Sequence, residues 1–252
     1  MPAVSTAARL PPHATICTFT RPGYAAGTAG AAGTAQDAAI ALADALMEAF
    51  PRGPELFSSR VCVGWSYGAM VVSSPAVSGW CDGLVLVDPV DAASAAADDA
   101  LMADVGRGQW SFAIVGLLAR LGVSPYLVLA GAMPEQAGCV GPVSGKPCCL
   151  SATSQFAAAA RAELAAFHTS LEAAQASPIP ASTPIVIVAS DDYDPDLSPL
   201  VDRKHTRVVR VPGADHMFPA RGATAPAAAE AFARAVLYGL AHVSSCTSRT
   251  FE

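Results

Sequence analysis

Short apolar runs, each nearly free of alternation between polar and apolar residues, most constrain the fold of this 252-residue chain. Segments with helical patterning separate them. Strands of this kind are typical of parallel sheets that are covered on both faces. The predicted strands are Ala14–Thr20, Arg60–Val63, Leu84–Val87, Pro184–Ala189 and Arg207–Val211. The sequence therefore predicts an α/β fold with a mostly parallel sheet of about five strands, flanked by helices.

Helical patterns fill the intervals between these strands. Apolar spacing and capping residues predict helices over about Thr34–Phe50, Ala157–Ala173 and Pro226–Leu240. Residues 101–177 have a helical but interrupted pattern, which predicts an insertion between two parts of a core, residues 1–100 and 178–252.

Composition excludes several functional classes. Fifteen basic and twenty-one acidic residues give a net charge of −6 with no run of Lys or Arg, so no nucleic-acid site is expected. The longest membrane candidate, Trp110–Met133, contains Arg120 and is interrupted by glycine and proline, so no spanning helix is expected. The first residues do not resemble a secretory signal, so the protein is expected by default to be cytoplasmic.

The seven cysteines show no C-x-x-C pair and no metal-ligand spacing, so no metal site is expected. Most are expected to be small core residues in a reducing compartment. A loop disulfide between Cys139 and either Cys148 or Cys149 is the alternative.

The motif Gly64-Trp65-Ser66-Tyr67-Gly68 fits the G-x-S-x-G nucleophile elbow, with an apolar strand before it and a helix after it. A serine on such a tight turn projects above the sheet. The glycine on either side is expected to remove a side chain that would collide there. The N–H of Tyr67, at the start of the helix, can donate to a developing oxyanion.

A base and an acid follow the serine in the order that a Ser-Asp-His triad needs. His216 lies just after the last predicted strand and is the candidate base. The acid is expected in the loop after Pro184–Ala189. There Asp194, which precedes a proline, is favoured and Asp192 is the alternative. Asp88 and Asp91, after the preceding strand, are a weaker alternative source of the acid.

Several segments together resemble the α/β-hydrolase fold superfamily, in particular its lidded, haloperoxidase- or epoxide-hydrolase-like branch. They are Thr18–Tyr24, the elbow Gly64–Ala69, Gly83–Pro89 and the histidine loop Val211–His216. The insertion Leu101–Ser177 falls where the family has a helical cap. The resemblance implies a serine hydrolase that cleaves a carboxylic ester or similar acyl compound, needs no metal or organic cofactor, and accepts a small apolar acyl substrate under the cap.

Departures from the family pattern qualify this expectation. The family's first three strands and its His-Gly oxyanion loop have no counterpart before Thr18, so Tyr67 would be the remaining oxyanion donor. The fold would then be a truncated α/β-hydrolase fold. Trp65 replaces the usual histidine beside the serine and is the candidate substrate-binding residue. The elbow has no nucleophilic aspartate, which disfavours epoxide-hydrolase and dehalogenase chemistry.

Two other functions remain open at this point. One is a catalytically impaired hydrolase remnant that binds an apolar ligand or a protein partner. The other is cofactor-free haloperoxidase-like or carbon–carbon hydrolase chemistry with the same triad. On the predicted cap helix, Arg161, Glu163 and His168 could contact a substrate, but a solvated helix face is the favoured interpretation.

Overall fold

The computed structural model describes the central part of the chain and not its ends. The described residues are 15–24, 33–90, 95, 98–123, 154–191, 193, 200, 203–214, 216, 234, 237–238 and 241–242. Most of the predicted helix Pro226–Leu240 lies outside them.

Helices and strands alternate along the described chain. The helices are α1 (Ala35–Ala49), α2 (Tyr67–Val72), α3 (Pro75–Ser78), α4 (Asp99–Arg120), α5 (Ser154–Ala165) and α6 (Phe167–Ala176), with a short 3₁₀ turn at Pro54–Leu56. The strands are β1 (Val61–Trp65), β2 (Gly83–Val87), β3 (Ile185–Ala189) and β4 (Thr206–Arg210). Thr34 caps α1 through a reciprocal pair of hydrogen bonds with Asp37, which explains why this helix begins where the sequence predicts.

The four described strands form one parallel sheet in the order β1-β2-β3-β4. This confirms the α/β class and four of the five predicted strands. The fifth prediction is wrong for residues 15–20, which are not in a strand and are mostly exposed. Three threonines interrupt this run, and a strand covered on both faces would bury their hydroxyl groups away from water.

The centre of the sheet is buried completely. Every residue of β2 and β3 is buried, whereas β1 and β4 are only partly covered. One face packs Leu84, Leu86, Ile185 and Ile187 against Ala69 and Val72 of α2. Because α2 directly follows the end of β1, this packing fixes the turn between them against the middle of the sheet.

The helices between β2 and β3 differ in detail from their prediction. The predicted helix Ala157–Ala173 is two helices, α5 and α6, separated at Ala166. Trp110 and several aliphatic side chains of α4 are largely exposed, so this helix is not a buried one. No helix in the described part of the chain is long and apolar enough to cross a membrane.

A disulfide joins Cys62 in β1 to Cys81 in the turn before β2, with 5.5 Å between their Cα atoms. The expectation that such cysteines are unpaired core residues is wrong for this pair. The cysteines are 19 residues apart in sequence, and only the pairing of β1 with β2 brings them together. The alternative bond from Cys139 to Cys148 or Cys149 lies outside the described residues.

Reduction of the Cys62–Cys81 bond is expected to lower the melting temperature by about 10 °C, because closing a loop of this length contributes about 3 kcal/mol. Thermal unfolding with and without dithiothreitol measures the effect. The variant Cys17→Ser, which removes the exposed free thiol, should keep the shift. The double variant Cys62→Ala/Cys81→Ala should melt at the lower temperature under both conditions. Equal melting temperatures for the oxidised and reduced wild type would contradict the prediction.

Candidate active site

Two residues with unusual backbone conformations mark the ends of two neighbouring strands. Ser66, between β1 and α2, has φ 51° and ψ −121°. Asp88, directly after β2, has φ 44°. Among the described residues these are the only non-glycine residues with positive φ. Left-handed backbone costs about 1–3 kcal/mol and is common at functional sites, so both positions are candidates for chemistry.

The turn at Ser66 depends on one of the two motif glycines. A Cβ atom on Gly64 would lie 2.4 Å from the carbonyl oxygen of Gly68 and 2.7 Å from Cγ2 of Val72. A Cβ atom on Gly68 would meet nothing within 4 Å. The expectation that both glycines prevent collisions therefore holds for Gly64 and is wrong for Gly68.

A chain of hydrogen bonds connects three side chains at the carboxyl ends of the strands. His216 Nε2 lies 2.9 Å from Ser66 Oγ, and His216 Nδ1 lies 2.5 Å from Asp88 Oδ2. A carboxylate can only accept, so the proton lies on Nδ1 and Nε2 accepts from the serine hydroxyl. The imidazole is thus placed to take the proton of Ser66.

Asp88 is held firmly in this arrangement. Its side chain is 3% exposed, and Oδ1 accepts hydrogen bonds from the backbone N–H (2.9 Å) and the hydroxyl (2.8 Å) of Ser190. Burial alone would raise the pKa of Asp88. The hydrogen bonds from His216 and Ser190 outweigh burial and hold that pKa below its ordinary value. The carboxylate is therefore ionised where it faces the imidazole.

The acid that contacts His216 is thus Asp88, which the sequence analysis ranks below Asp194 and Asp192. Asp194 and Asp192 lie outside the described residues. Their described neighbour Asp191 accepts a hydrogen bond from the N–H of Gly213 at 2.7 Å. Asp191, directly after Ser190, therefore helps to hold the loop that carries the histidine.

Trp65 also contacts the histidine loop. Its indole N–H donates to the backbone carbonyl of His216 at 3.1 Å, and the two ring centroids are 6.1 Å apart. The motif residue beside Ser66 therefore helps to locate the base. From the sequence Trp65 is expected to affect packing and to contact substrate, but its hydrogen-bond partner could not be predicted because that partner is 151 positions away.

The polar residues of the predicted cap helix divide into two groups. Arg161 and His168 are exposed, as expected for a solvated face. Glu163 is buried, with 6% exposure, and the expectation of a solvated side chain is wrong for it. Sequence reasoning also missed Ser190, which precedes the acidic turn.

No group of three or more His, Cys, Asp or Glu side chains within the described ranges could hold a metal ion. A cavity of about 350 Å³ lies beside α2, and both apolar and polar residues of α1, α2, α6 and the segments that follow α2, β2 and α6 line it. Neither Ser66 nor His216 lines it. The cavity is therefore separate from the hydrogen-bonded chain.

Comparisons with known proteins identify the family and find several solved structures to which this chain is similar. A family model described as "Alpha/beta hydrolase family" matches residues 3–235, whereas no curated protein matches. A solved structure from Pseudomonas aeruginosa, described as a provisionally assigned epoxide hydrolase, aligns with a TM-score of 0.50 and 20% identity, covering 82% of this chain and 73% of its own. The Vlm2 thioesterase domain, bound with a dodecadepsipeptide, aligns at 0.48 and 13% identity, covering 85% and 80%. An alpha/beta hydrolase fold protein from Nakamurella multipartita aligns at 0.37 and 16% identity, covering 84% and 80%.

Proposed function

Since this chain belongs to the alpha/beta hydrolase family, we propose that it is a serine hydrolase that cleaves carboxylic esters or similar acyl compounds. The observation that carries the proposal is the hydrogen-bonded chain Ser66–His216–Asp88. A serine hydroxyl, an imidazole and a carboxylate that are hydrogen-bonded in this order support the roles of nucleophile, base and acid in acyl transfer. The strained backbone of Ser66 supports the same assignment.

In the proposed reaction Ser66 Oγ attacks the carbonyl carbon of the substrate while His216 Nε2 accepts the hydroxyl proton. Asp88 holds the proton on Nδ1 and stabilises the imidazolium that forms. His216 then gives its proton to the leaving alcohol, and the acyl group remains on Ser66. A water molecule, deprotonated by His216, releases the acid and restores the serine.

The N–H of Tyr67 is the proposed donor to the oxyanion. Tyr67 is the first residue of α2, so its N–H has no partner within the helix. A helix start next to the nucleophile also offers favourable electrostatics to a developing negative charge.

A small apolar acyl group is the proposed substrate class. The helices between β2 and β3 are rich in Ala and Leu, and the segment 101–177 that contains them would act as the cap over the substrate. Trp65, one residue before the nucleophile, is the proposed aromatic contact for this group. The elbow carries Ser66 and no aspartate, so chemistry that needs an aspartate nucleophile is not proposed.

Labelling with a fluorophosphonate tests the nucleophile without knowledge of the natural substrate. We expect one adduct per chain on Ser66, located by peptide mass spectrometry, because these reagents react with serines that have an adjacent base. The variant Ser66→Ala should not be labelled. Ser78→Ala, which removes an exposed serine outside the hydrogen-bonded chain, should be labelled like the wild type.

A folded wild-type protein that does not react would contradict the hydrolase proposal. It would favour the alternative of a non-catalytic hydrolase remnant that binds an apolar ligand or a partner. Circular dichroism on the same samples establishes that the protein is folded.

A further inference from the structure

A buried carboxylate links the helix α5 to the segment Arg21–Tyr24. Both oxygens of Glu163 accept hydrogen bonds from Arg21, at 2.7 Å from Nε and 3.0 Å from Nη2. The hydroxyl of Tyr24 donates to the same carboxylate at 2.5 Å. A two-pronged contact of this type fixes both the position and the orientation of the guanidinium.

The guanidinium in turn lies over the ring of Tyr67. Its central carbon is 5.3 Å from the Tyr67 ring centroid and 4.8 Å from that of Tyr24, within the range of cation–π attraction. At its far end, the Tyr67 hydroxyl donates to the carbonyl of Gly33 at 3.1 Å and lies 3.2 Å from the hydroxyl oxygen of Ser170. The Tyr67 side chain is therefore held both on its face and at its tip.

The protonation states suit this arrangement. Burial raises the pKa of Tyr67 to about 12 and also raises that of Tyr24, where the Glu163 carboxylate adds to the effect. Burial would lower the pKa of Arg21, but Glu163 holds it above its ordinary value. Both phenols therefore stay protonated donors, and the guanidinium stays charged.

The Glu163 side chain is buried, whereas that of Arg21 is 30% exposed, and such an ion pair is a weak source of stability because desolvation and solvent screening offset most of the attraction between its charges. The position of this pair, against the ring of Tyr67, suggests a role other than stability. Tyr67 directly follows Ser66, and its N–H is the oxyanion donor of the proposed reaction. We propose that Glu163 and Arg21 are positioning residues that act through the Tyr67 ring to fix the peptide between Ser66 and Tyr67. This inference builds on the proposed function but concerns residues outside the hydrogen-bonded chain of Ser66.

Variants of Glu163 and Arg21, with one control in the sheet, separate positioning from general stability. Glu163→Ala removes every acceptor, whereas Glu163→Gln keeps the shape and one acceptor oxygen. Val186→Ala, at a fully buried position of β3 on the face of the sheet opposite α2, lowers the melting temperature without touching the cluster. All measurements are made at least 20 °C below the lowest melting temperature.

The first readout is the rate constant of fluorophosphonate labelling at Ser66. We expect Glu163→Ala to lower it about tenfold at unchanged reagent affinity, because a displaced oxyanion donor slows the chemical step and not binding. Glu163→Gln should recover part of the rate, and Val186→Ala should label like the wild type. Arg21→Ala should match Glu163→Ala, and the double variant should be no slower than either one, because the two residues act as a unit.

The second readout does not need activity. Hydrogen exchange of the peptide that contains Ser66 and Tyr67 should be about tenfold faster in Glu163→Ala than in Val186→Ala. If the wild type does not label, but Glu163→Ala still loses protection at this peptide and Val186→Ala does not, the positioning role is supported and only the hydrolase proposal is overturned. The positioning role would be overturned if the wild type labels and Glu163→Ala has the same labelling rate and exchange rate as Val186→Ala. The proposed function would then still stand.

Discussion

The substitution Asp88→Asn is expected to lower kcat for hydrolysis of a simple ester by about 10⁴-fold, the loss found when the triad acid of a serine protease becomes an amide. The amide can donate to His216 Nδ1, which then carries no proton. The proton moves to Nε2, which faces Ser66 Oγ at 2.9 Å and can no longer accept from it. KM should change little, because the carboxylate is buried beneath the histidine.

Steady-state hydrolysis of p-nitrophenyl acetate and the rate of fluorophosphonate labelling measure this effect. Asp194→Asn and Asp192→Asn are the matched controls and should stay within about twofold of wild type, because Asp88 already supplies the carboxylate that contacts His216. If either control lost most of its kcat while Asp88→Asn stayed active, the acid would instead be an aspartate in the loop after β3.

The location of the acid illustrates a limit of sequence reasoning. The sequence orders the strands and places aspartates after both β2 and β3, and these strands are neighbours in the sheet. An acid from either strand end is therefore compatible with the motif order. The choice depends on where the loop before His216 turns and on the N–H and hydroxyl of Ser190, which hold Asp88. These are contacts between distant segments, and no local pattern encodes them.

The strands were predictable for the opposite reason. Continuous apolar runs that end at turn residues report burial on two faces, which is a local property of each segment. Residues 15–20 do not follow this rule, because Thr15, Thr18 and Thr20 make up half of the run and would place hydroxyl groups on both faces of a strand. The disulfide between Cys62 and Cys81 and the buried position of Glu163 could not be predicted, since each depends on a partner from another element.

The substitution Gly64→Ala is expected to abolish the active arrangement at Ser66, with labelling slowed by at least about 10²-fold, the cost of displacing a reacting group by about 1 Å. The added methyl group would lie 2.4 Å from the carbonyl oxygen of Gly68 and 2.7 Å from its carbonyl carbon. These are backbone atoms of the turn, so no side chain can move aside to relieve the contact. Either β1 or the start of α2 must shift, and both position the nucleophile. We also expect a loss of stability of about 1–3 kcal/mol or more from the overpacked turn.

Gly68→Ala is the control from the same motif and should raise the stability of the protein, whereas Gly64→Ala should lower it. Its methyl group would enter open space, and Gly68 lies within α2, where alanine is favoured over glycine by roughly 0.5–1 kcal/mol. Labelling should therefore stay near the wild-type rate while the melting temperature rises slightly. The two variants together test whether a glycine of the motif is required because a side chain would collide there, which applies to Gly64 and not to Gly68. If both variants slowed labelling equally, Gly68 would be required for a different reason. The reagent or substrate would then have to approach the backbone at Gly68 more closely than a methyl group allows.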